Sequence, residues 1–345
     1  MRIVQFETAE GRRLGVIDGD IVRDVTSASP TIRRVCDAFH HACESGRALA
    51  EFLMPLAAAA ARQGHPYPAL LQSRRLADGA VLRPPVDHVD PRRLLVTGTG
   101  LTHLGSVQSR DQMHVAQAAD APLTDSKKMF QIGLKGGKPP LGTRGAAPEW
   151  FYKGNGNVLR GPNDELAIPD FASDGGEEPE LVGCYMIDAR GIPRRLGFAL
   201  GNEWSDHATE SVNYLYLAPS KLRECSIGPE LVTDCDFQHI ELRCLVRRAG
   251  QVIYDSGPLL SGEQNMCHSL ANCEDHHFKY PQHRLAGDVH LHYFGTSKLS
   301  YHERKWQYAA GDEIRIEAPG FSAPLVNTVA RAANVEPSPV RVVPA

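Results

Sequence analysis

The chain has 345 residues, of which 42% are hydrophobic, and its formal net charge at pH 7 is −4. This length accommodates one large domain with or without a smaller one, and the weak negative charge argues against a nucleic-acid-binding surface. No apolar run approaches the roughly 18 residues of a membrane span, and the opening MRIVQFETAEGRR lacks the apolar centre of a secretory signal. We therefore expect a cytoplasmic protein without a membrane or nucleic-acid partner.

Cysteine usage agrees with this expectation. None of the eight cysteines forms a C-x-x-C pair, so the spacing predicts reduced thiols, mostly in the core, and disfavours a zinc site. The cysteines are Cys36, Cys43, Cys184, Cys225, Cys235, Cys244, Cys267 and Cys273.

The first ninety residues predict a small N-terminal domain. Residues 1–25 alternate apolar and polar positions between glycine turns, which indicates a β-meander. Ser29 as N-cap and Pro30 at the first helical position then predict the start of a helix-rich stretch. The segment RPPVDHVDPRR, residues 83–93, is typical of a linker. We place the small domain at residues 1–90 and a catalytic domain at residues 91–345.

The second part of the chain is rich in short strands. It opens with the buried strand LLVTGTG, and residues 126–146, rich in Gly, Lys and Pro, are predicted to form a mobile loop that could act as a lid. Several short strands follow, with a helix predicted over residues 261–273. No G-x-G-x-x-G motif joins a strand to a helix, so we expect no nucleotide or redox cofactor. The pattern favours an α+β fold built on a β-rich barrel or roll.

The segment GEEPELVG contains the most informative polar residues. Glu178 and Glu180 are two positions apart and therefore share one face of a strand, just where burial begins. A lone E-x-E is more typical of a solvated strand end. Here, however, a third carboxylate, Glu203, stands at the end of the next apolar strand. Three converging carboxylates are the ligands that a hard divalent cation prefers, and such a cation offsets their mutual repulsion.

Four segments, in this order, resemble the fumarylacetoacetate hydrolase family: EPELVG, GNEWS, GDVHLHYFGT and GDEIRIEAPGFSAPLVNTV. The resemblance covers about residues 94–330. It implies a mixed β-roll catalytic domain with a small α/β N-terminal domain, and Glu178, Glu180 and Glu203 as ligands of Mg²⁺, or of Mn²⁺ or Ca²⁺. The family usually has Asp at the third ligand position, so the longer Glu203 is a departure. Its members also lead us to expect a homodimer or a higher homo-oligomer.

The family contains a hydrolase branch that cleaves carbon–carbon bonds with an H-x-x-E pair that activates water. In the matching stretch GTGLTHLGSVQSRDQ, Ser106 and Ser109 occupy the positions of that pair, and His103 is followed by Ser106 at i+3. The absence of the pair from this stretch disfavours hydrolysis of a 2,4-dioxo acid, which remains the alternative activity. A third possibility is a metal-binding scaffold without activity.

The segment NEWSDHATESVNYLYLAPSKL is more similar to the sugar-acid dehydratase branch. This resemblance implies a lyase that converts a 2-keto-3-deoxy-pentonate to 2-oxoglutarate semialdehyde, with Lys221 and Glu149 as catalytic residues. Lys221, with its pKa lowered by desolvation and a nearby cation, would remove the C3 proton, and Glu149 would protonate the leaving C4 hydroxyl. The residues expected to bind this 2-oxo acid substrate are Thr296, Lys153, Ser109 and Arg110.

Two histidine pairs are interpreted as structural. His276 and His277 are adjacent, so they point apart on a helix or a strand and cannot share a metal easily. His290 and His292 share one strand face, which we expect to pack at the surface of the roll.

Overall fold

The computed structural model of the protein describes residues 1–60, 64–106, 108, 124–332 and 339–345. The strands are β1 (Arg2–Thr8), β2 (Gly11–Asp18), β3 (Ile21–Asp24), β4 (Gly64–Pro66), β5 (Val81–Arg83), β6 (Leu94–Gly100), β7 (Glu149–Asn155), β8 (Leu159–Arg160), β9 (Glu165–Ile168), β10 (Pro179–Ile187), β11 (Pro193–Asn202), β12 (Cys225–Val232), β13 (Ile240–Arg248), β14 (Gln251–Asp255), β15 (Leu259–Ser261), β16 (Val289–Tyr293), β17 (Glu313–Glu317) and β18 (Leu325–Arg331). The α-helices are α1 (Val25–Ala28), α2 (Val35–Glu44), α3 (Leu49–Ala59), α4 (Tyr67–Gln72), α5 (Asp125–Gly136), α6 (His207–Val212), α7 (Leu217–Lys221) and α8 (Leu270–Phe278). Within the described ranges, none of these helices has the length and apolar character needed to cross a bilayer.

The strands form two sheets. The larger has 12 strands in the order β4-β3-β2-β1-β12-β11-β10-β16-β6-β7, with β5 beside β1 and β8 beside β12. The smaller has six strands in the order β14-β13-β17-β18-β9, with β15 beside β13. Mixed sheets with helices confirm the predicted α+β class, and the described strand order of the large sheet runs from β4 to β7 without closing into a barrel.

The two largest apolar cores of the described residues lie on the large sheet. One contains side chains from both sheets, such as Leu181 and Phe198 from the large sheet and Leu242 and Ile316 from the small one. Their burial holds the two sheets together, because removing apolar surface from water is the main favourable contribution to folding. All eight cysteines are free thiols and six of them are buried, as their spacing predicted.

The N-terminal meander continues the large sheet. β1 pairs antiparallel with β12, with Ile3 opposite Leu231, and Ile3 also belongs to the same apolar core as Leu94 and Leu291. Strands from both sides of the predicted boundary near residue 90 therefore share hydrogen bonds and a core. The division into residues 1–90 and 91–345 stays a prediction.

The first long helix begins later than predicted. Ser29 ends the short helix α1, and α2 starts at Val35. The Asp37 carboxylate fixes this start because it accepts hydrogen bonds from the backbone N–H groups of Arg33 and Arg34, both at 2.9 Å. The prediction of Ser29 as an N-cap was wrong. The start of α2 is fixed instead by Asp37, the third residue of the helix, whose carboxylate binds the preceding backbone N–H groups as an N-cap side chain would. Residue type alone does not distinguish these two positions.

The predicted loop over residues 126–146 was wrong in its first half, which forms α5. Thr124 caps the helix by accepting a hydrogen bond from Lys127 N at 3.2 Å. Gly133, which suggested flexibility, instead permits close packing: a Cβ atom there would lie 2.6 Å from Cys267 Sγ. The helix predicted over residues 261–273 also starts later, at Leu270.

Four histidines cluster between α8 and the face of the large sheet. His277 Nε2 lies 3.0 Å from His290 Nδ1, and His292 Nδ1 lies 2.8 Å from Thr97 Oγ1. The ring centres of His277 and His283 are 4.8 Å apart. His290 and His292 are 0% and 1% exposed, so the expectation that they pack at the surface was wrong: α8 covers them.

These buried imidazoles make the stability of the fold depend on pH. Burial, together with neighbouring histidines, lowers the pKa of both His290 and His292 to about 3. In the unfolded chain a histidine titrates near pH 6.5, so the unfolded state binds more protons between roughly pH 6.5 and 3. Stability should therefore fall as the pH is lowered through this window.

We expect the free energy of unfolding to fall between pH 7.5 and 5.0 by up to about 2 kcal/mol for each of these two histidines. The measurement is urea denaturation at both pH values. The double variant His290→Gln/His292→Gln should show a flatter pH dependence, whereas the variant of an exposed histidine, His239→Gln, should keep the original one. An equal slope in all three proteins would contradict the prediction.

Candidate metal and catalytic site

The antiparallel pair β10 and β11 brings the three predicted carboxylates together. Glu180 lies opposite Gly201 in the register of the two strands, and Glu203 N donates a hydrogen bond to Glu178 O at 3.0 Å. One carboxylate oxygen from each of Glu178, Glu180 and Glu203 lies within 4.8 Å of the other two. Glu178 directly precedes β10 and Glu203 directly follows β11, so the i, i+2 spacing and the antiparallel pairing together bring the three carboxylates to one place.

All three carboxylates are buried, with exposures of 6% for Glu178, 1% for Glu180 and 0% for Glu203. Two ammonium groups contact them: Lys221 Nζ donates to Glu178 Oε1 and, at 2.8 Å, to Glu203 Oε2, and Lys153 Nζ donates to Glu203 Oε1 at 2.8 Å. Burial, and then the charges of Glu203 and Glu178, raise the pKa of Glu180 well above its ordinary value. A divalent cation fits this cluster, because it supplies the missing positive charge to hard oxygen donors.

A neutral donor fixes Glu180 in place. Gly295 N donates a hydrogen bond to Glu180 Oε2 at 2.7 Å. Gly295 has φ +90°, and a Cβ atom there would lie 2.4 Å from Thr102 Oγ1. Glycine is required at this position by both the backbone conformation and the close approach.

Lys153 is completely buried, and its ammonium group has three acceptors. These are Glu203 Oε1 at 2.8 Å, Trp204 O at 2.5 Å and Lys221 O at 3.1 Å. An ammonium group has three N–H donors, so these contacts use all of them. The geometry favours a role for Lys153 in orienting Glu203 over a direct contact with the substrate.

Lys221 lies at the end of α7, with its Nζ between two carboxylates and 4.9 Å from the centre of the Phe151 ring. Burial by itself lowers the pKa of Lys221, but the charges of Glu178 and Glu203 outweigh burial and raise this pKa above its ordinary value. The expected lowering is therefore reversed while both carboxylates are charged and in contact with the ammonium group.

A small cavity of about 30 Å³ opens onto the three carboxylates and Lys221. Of the residues predicted to bind substrate, Thr296 lies in its wall. Ser106, which was not among them, also lines the cavity. Ser109 and Arg110 lie outside the described residues.

Glu149 does not line this cavity but lies next to it. β7 alternates sides, so Glu149, Phe151 and Lys153 share its inward face, and Phe151 lines the cavity. Glu149 is 8% exposed, and Tyr214 OH donates a hydrogen bond to its Oε1 at 2.9 Å. The structure therefore places Glu149 one step along the strand from the cavity wall.

Two residues of the cavity wall with titratable side chains were not predicted from the sequence. His207 and Glu210 lie on α6, and His207 Nε2 is 3.0 Å from Glu178 Oε1. Burial opposes a charge on His207, yet the contact with Glu178 outweighs it and raises the pKa of His207 above its ordinary value. The signal was present as H-x-x-E at residues 207–210, within the segment that resembles the dehydratase branch. The i, i+3 spacing places both side chains on one helix face.

No protein-family model matches the chain. One curated relative, a probable 2-keto-3-deoxyxylonate dehydratase of Haloferax volcanii, is 29% identical over 187 residues. The match covers 53% of this chain and 60% of the relative, so the chain spans about three fifths of the length of that protein.

Solved structures share the fold over almost the whole chain. A 2-keto-3-deoxy-D-arabinonate dehydratase complexed with magnesium and 2,5-dioxopentanoate aligns with TM-score 0.67 and 17% identity, over 96% of this chain and 99% of that one. A maleylpyruvate hydrolase from Sphingobium sp. SYK-6, in complex with manganese(II) and pyruvate, aligns with TM-score 0.58 and 16% identity, over 96% and 100% of the two chains. These likenesses confirm the fold that the four motifs predicted.

The carboxylate cluster predicts measurable metal binding. Glu180→Gln should weaken the affinity for Mn²⁺ by at least about tenfold, because the cluster loses a charged ligand. Electron paramagnetic resonance of free Mn²⁺ measures this affinity. The matched control is Glu230→Gln, since Glu230 is a buried carboxylate of β12 that accepts from Ser322 Oγ at 2.6 Å. Equal Mn²⁺ affinity in both variants would refute the metal site.

Proposed function

We propose that the protein is a Mg²⁺-dependent lyase that dehydrates a 2-keto-3-deoxy-pentonate to 2-oxoglutarate semialdehyde, that is, 2,5-dioxopentanoate. This reaction belongs to the non-phosphorylative breakdown of sugar acids. The observation that carries the proposal is the position of Lys221 Nζ between Glu178 and Glu203, two members of the carboxylate cluster. The names of the curated relative and of the aligned dehydratase structure support the same reaction class.

Glu178, Glu180 and Glu203 are the residues that would hold the cation. When bound, the cation supplies Lewis-acid polarisation of the 2-oxo group of the substrate. The chain keeps each ligand in place with a different partner: His207 for Glu178, Gly295 N for Glu180 and Lys153 for Glu203. Such supporting contacts orient metal ligands and restrict their motion.

Lys221 is the proposed base, and its Nζ would take the proton from C3 of the substrate. A lysine is a competent base only when its pKa is close to the working pH. Once the charges of Glu178 and Glu203 are neutralised, burial remains as the main influence on Lys221, and burial lowers its pKa.

Glu149 is the proposed acid, and its proton would go to the C4 hydroxyl as the C4–O bond breaks and water leaves. The remaining unsaturated hydroxy acid then isomerises to the semialdehyde by proton shifts, so the reaction consumes no water and needs no redox partner. The position of Glu149 beside the cavity supports this role. Glu210 competes for it, because Glu210 already lies in the cavity wall.

A second candidate function is hydrolysis of a 2,4-dioxo acid to pyruvate and a second acid. The observation that favours it is the pair His207 and Glu210, whose H-x-x-E spacing and place in the cavity wall could replace the pair that is absent at Ser106 and Ser109. A water activated by such a pair would attack the carbonyl of a dioxo acid.

One assay separates the two functions. The protein is incubated with Mg²⁺ and racemic 2-keto-3-deoxy-pentonate, and the semialdehyde is detected with a coupled dehydrogenase. The same protein is incubated with a 2,4-dioxo acid, and pyruvate is measured. Semialdehyde without pyruvate is the expected result. Pyruvate alone would establish the hydrolase. If neither product forms, the protein is a metal-binding scaffold without activity.

Lys221→Met should reduce turnover by at least about a hundredfold, because the proposed base is lost. The affinity for Mn²⁺ should stay equal or increase, since the ammonium group no longer competes for oxygens of Glu178 and Glu203. Steady-state kinetics and paramagnetic resonance measure the two quantities. Lys279→Met, which changes a lysine at the end of α8, serves as the control and should leave both unchanged. Loss of Mn²⁺ binding together with activity would contradict a role as base.

Glu149→Gln and Glu210→Gln decide between the two candidate acids. The variant that removes the acid should lower kcat by about a hundredfold or more with little change in KM, and we expect this for Glu149→Gln. A larger loss of kcat in Glu210→Gln would transfer the role to the residue on α6.

A further inference from the structure

The segment Gly295–Ser300 forms one wall of the cavity, and the chain anchors it at both ends. Thr296 and Leu299 line the cavity. At one end Gly295 N donates to Glu180 Oε2, and at the other end Ser300 N donates to Glu177 Oε1, both at 2.7 Å. Two carboxylates from a single stretch of four residues therefore hold both ends of this wall.

Glu177 makes a larger set of contacts than one anchor requires. Its Oε2 also accepts hydrogen bonds from Ser300 Oγ at 2.8 Å and from Tyr308 OH at 2.6 Å. Glu177 is 1% exposed and does not line the cavity, and its carboxylate contacts Ser300 and Tyr308 instead. All three of its donors are uncharged.

A carboxylate buried among uncharged donors is expensive, because desolvation of its charge must be offset by hydrogen bonds. Here two of the three bonds come from Ser300, which directly follows the wall residue Leu299, and the third comes from Tyr308. The stabilisation that Glu177 provides is thus concentrated on the position of this one segment.

We propose that Glu177 is a positioning residue, which holds the segment Gly295–Ser300 against the cavity so that Thr296 and Leu299 form the wall at which the substrate binds. This inference rests on the proposed function for its substrate, a 2-oxo sugar acid. The partners of the three proposed metal ligands are His207, Gly295 N and Lys153, and none of these contacts involves Glu177. Weakening the anchor should therefore reduce substrate binding and leave metal binding in place.

The chain contains a matched control for this anchor. Glu230 Oε1 accepts from Ser322 N and Glu230 Oε2 accepts from Ser322 Oγ, both at 2.6 Å. The side chain of Glu230 is fully buried and lies on β12, away from the cavity wall. Glu230 also lies 3.6 Å from Arg2 Nε, an ion pair with no counterpart at Glu177 among the described residues. Glu230→Gln therefore perturbs a buried glutamate that binds the N–H and O–H of one serine, without touching the site.

The experiment compares Glu177→Gln and Tyr308→Phe with Glu230→Gln and the unmodified protein. A glutamine offers one acceptor oxygen where Glu177 offers two, so it cannot accept from all three donors. Tyr308→Phe removes one donor and keeps the ring that packs against Trp204 at 5.0 Å between centres. The measurements are KM and kcat with Mg²⁺ and 2-keto-3-deoxy-pentonate, Mn²⁺ affinity, and hydrogen exchange of the peptide that contains Ser300.

We expect Glu177→Gln to raise KM by about tenfold while kcat and Mn²⁺ affinity change by less than about threefold. Exchange at Ser300 should become faster. Tyr308→Phe should raise KM by about threefold, because one of three hydrogen bonds is lost. Glu230→Gln should change none of these quantities.

An unchanged KM in a folded Glu177→Gln protein would overturn the inference. So would a loss of Mn²⁺ binding together with turnover, or an equal rise of KM in Glu230→Gln. If Glu177→Gln does not fold, Tyr308→Phe is judged by the same criteria. If the unmodified protein has no turnover, the proposed function fails; the anchor is then judged by exchange at Ser300, and unchanged exchange in Glu177→Gln would overturn it as well.

Discussion

The burial of three carboxylates in one small cavity is the constraint on which the rest of this structure depends. Glu178, Glu180 and Glu203 repel one another and have lost most of their contact with water. Each would be neutral or solvated unless positive charge offset the cost. Two buried lysines and His207 contact the cluster, and a divalent cation would offset the repulsion that remains among the three carboxylates.

The same constraint explains why so many separate elements meet at the site. Lys153 comes from β7, Lys221 from α7 and His207 from α6, and each contacts a different part of the cluster. A charge buried at one point must find its partner within a few ångströms, so strands and helices that are distant in sequence are brought together there. The fold positions the site, and the site in turn limits how the elements can pack.

Sequence patterns were sufficient where a local rule fixes geometry. The i, i+2 spacing of Glu178 and Glu180 determines that they share a face, and antiparallel pairing brings Glu203 to the same place. Patterns failed where a local signal has two readings. Gly133 suggested a flexible loop but serves close packing against Cys267. His290 and His292 were expected at the surface, because the pattern of a strand does not reveal whether a helix covers one of its faces.

Strand periodicity in the sequence by itself therefore determined the α+β class and the convergence of the three carboxylates, because it acts over short distances. The candidacy of Lys221 came from the resemblance of its segment to the sugar-acid dehydratase branch. Only the tertiary structure decided that Lys153 holds Glu203, that His207 and Glu210 enter the cavity wall, and that Glu177 anchors the segment ending at Ser300. The contacts Lys153–Glu203, His207–Glu178 and Glu177–Ser300 join residues 50, 29 and 123 positions apart. Such partners are chosen by packing in three dimensions. The H-x-x-E spacing puts His207 and Glu210 on one helix face, but it does not show which cavity that face enters.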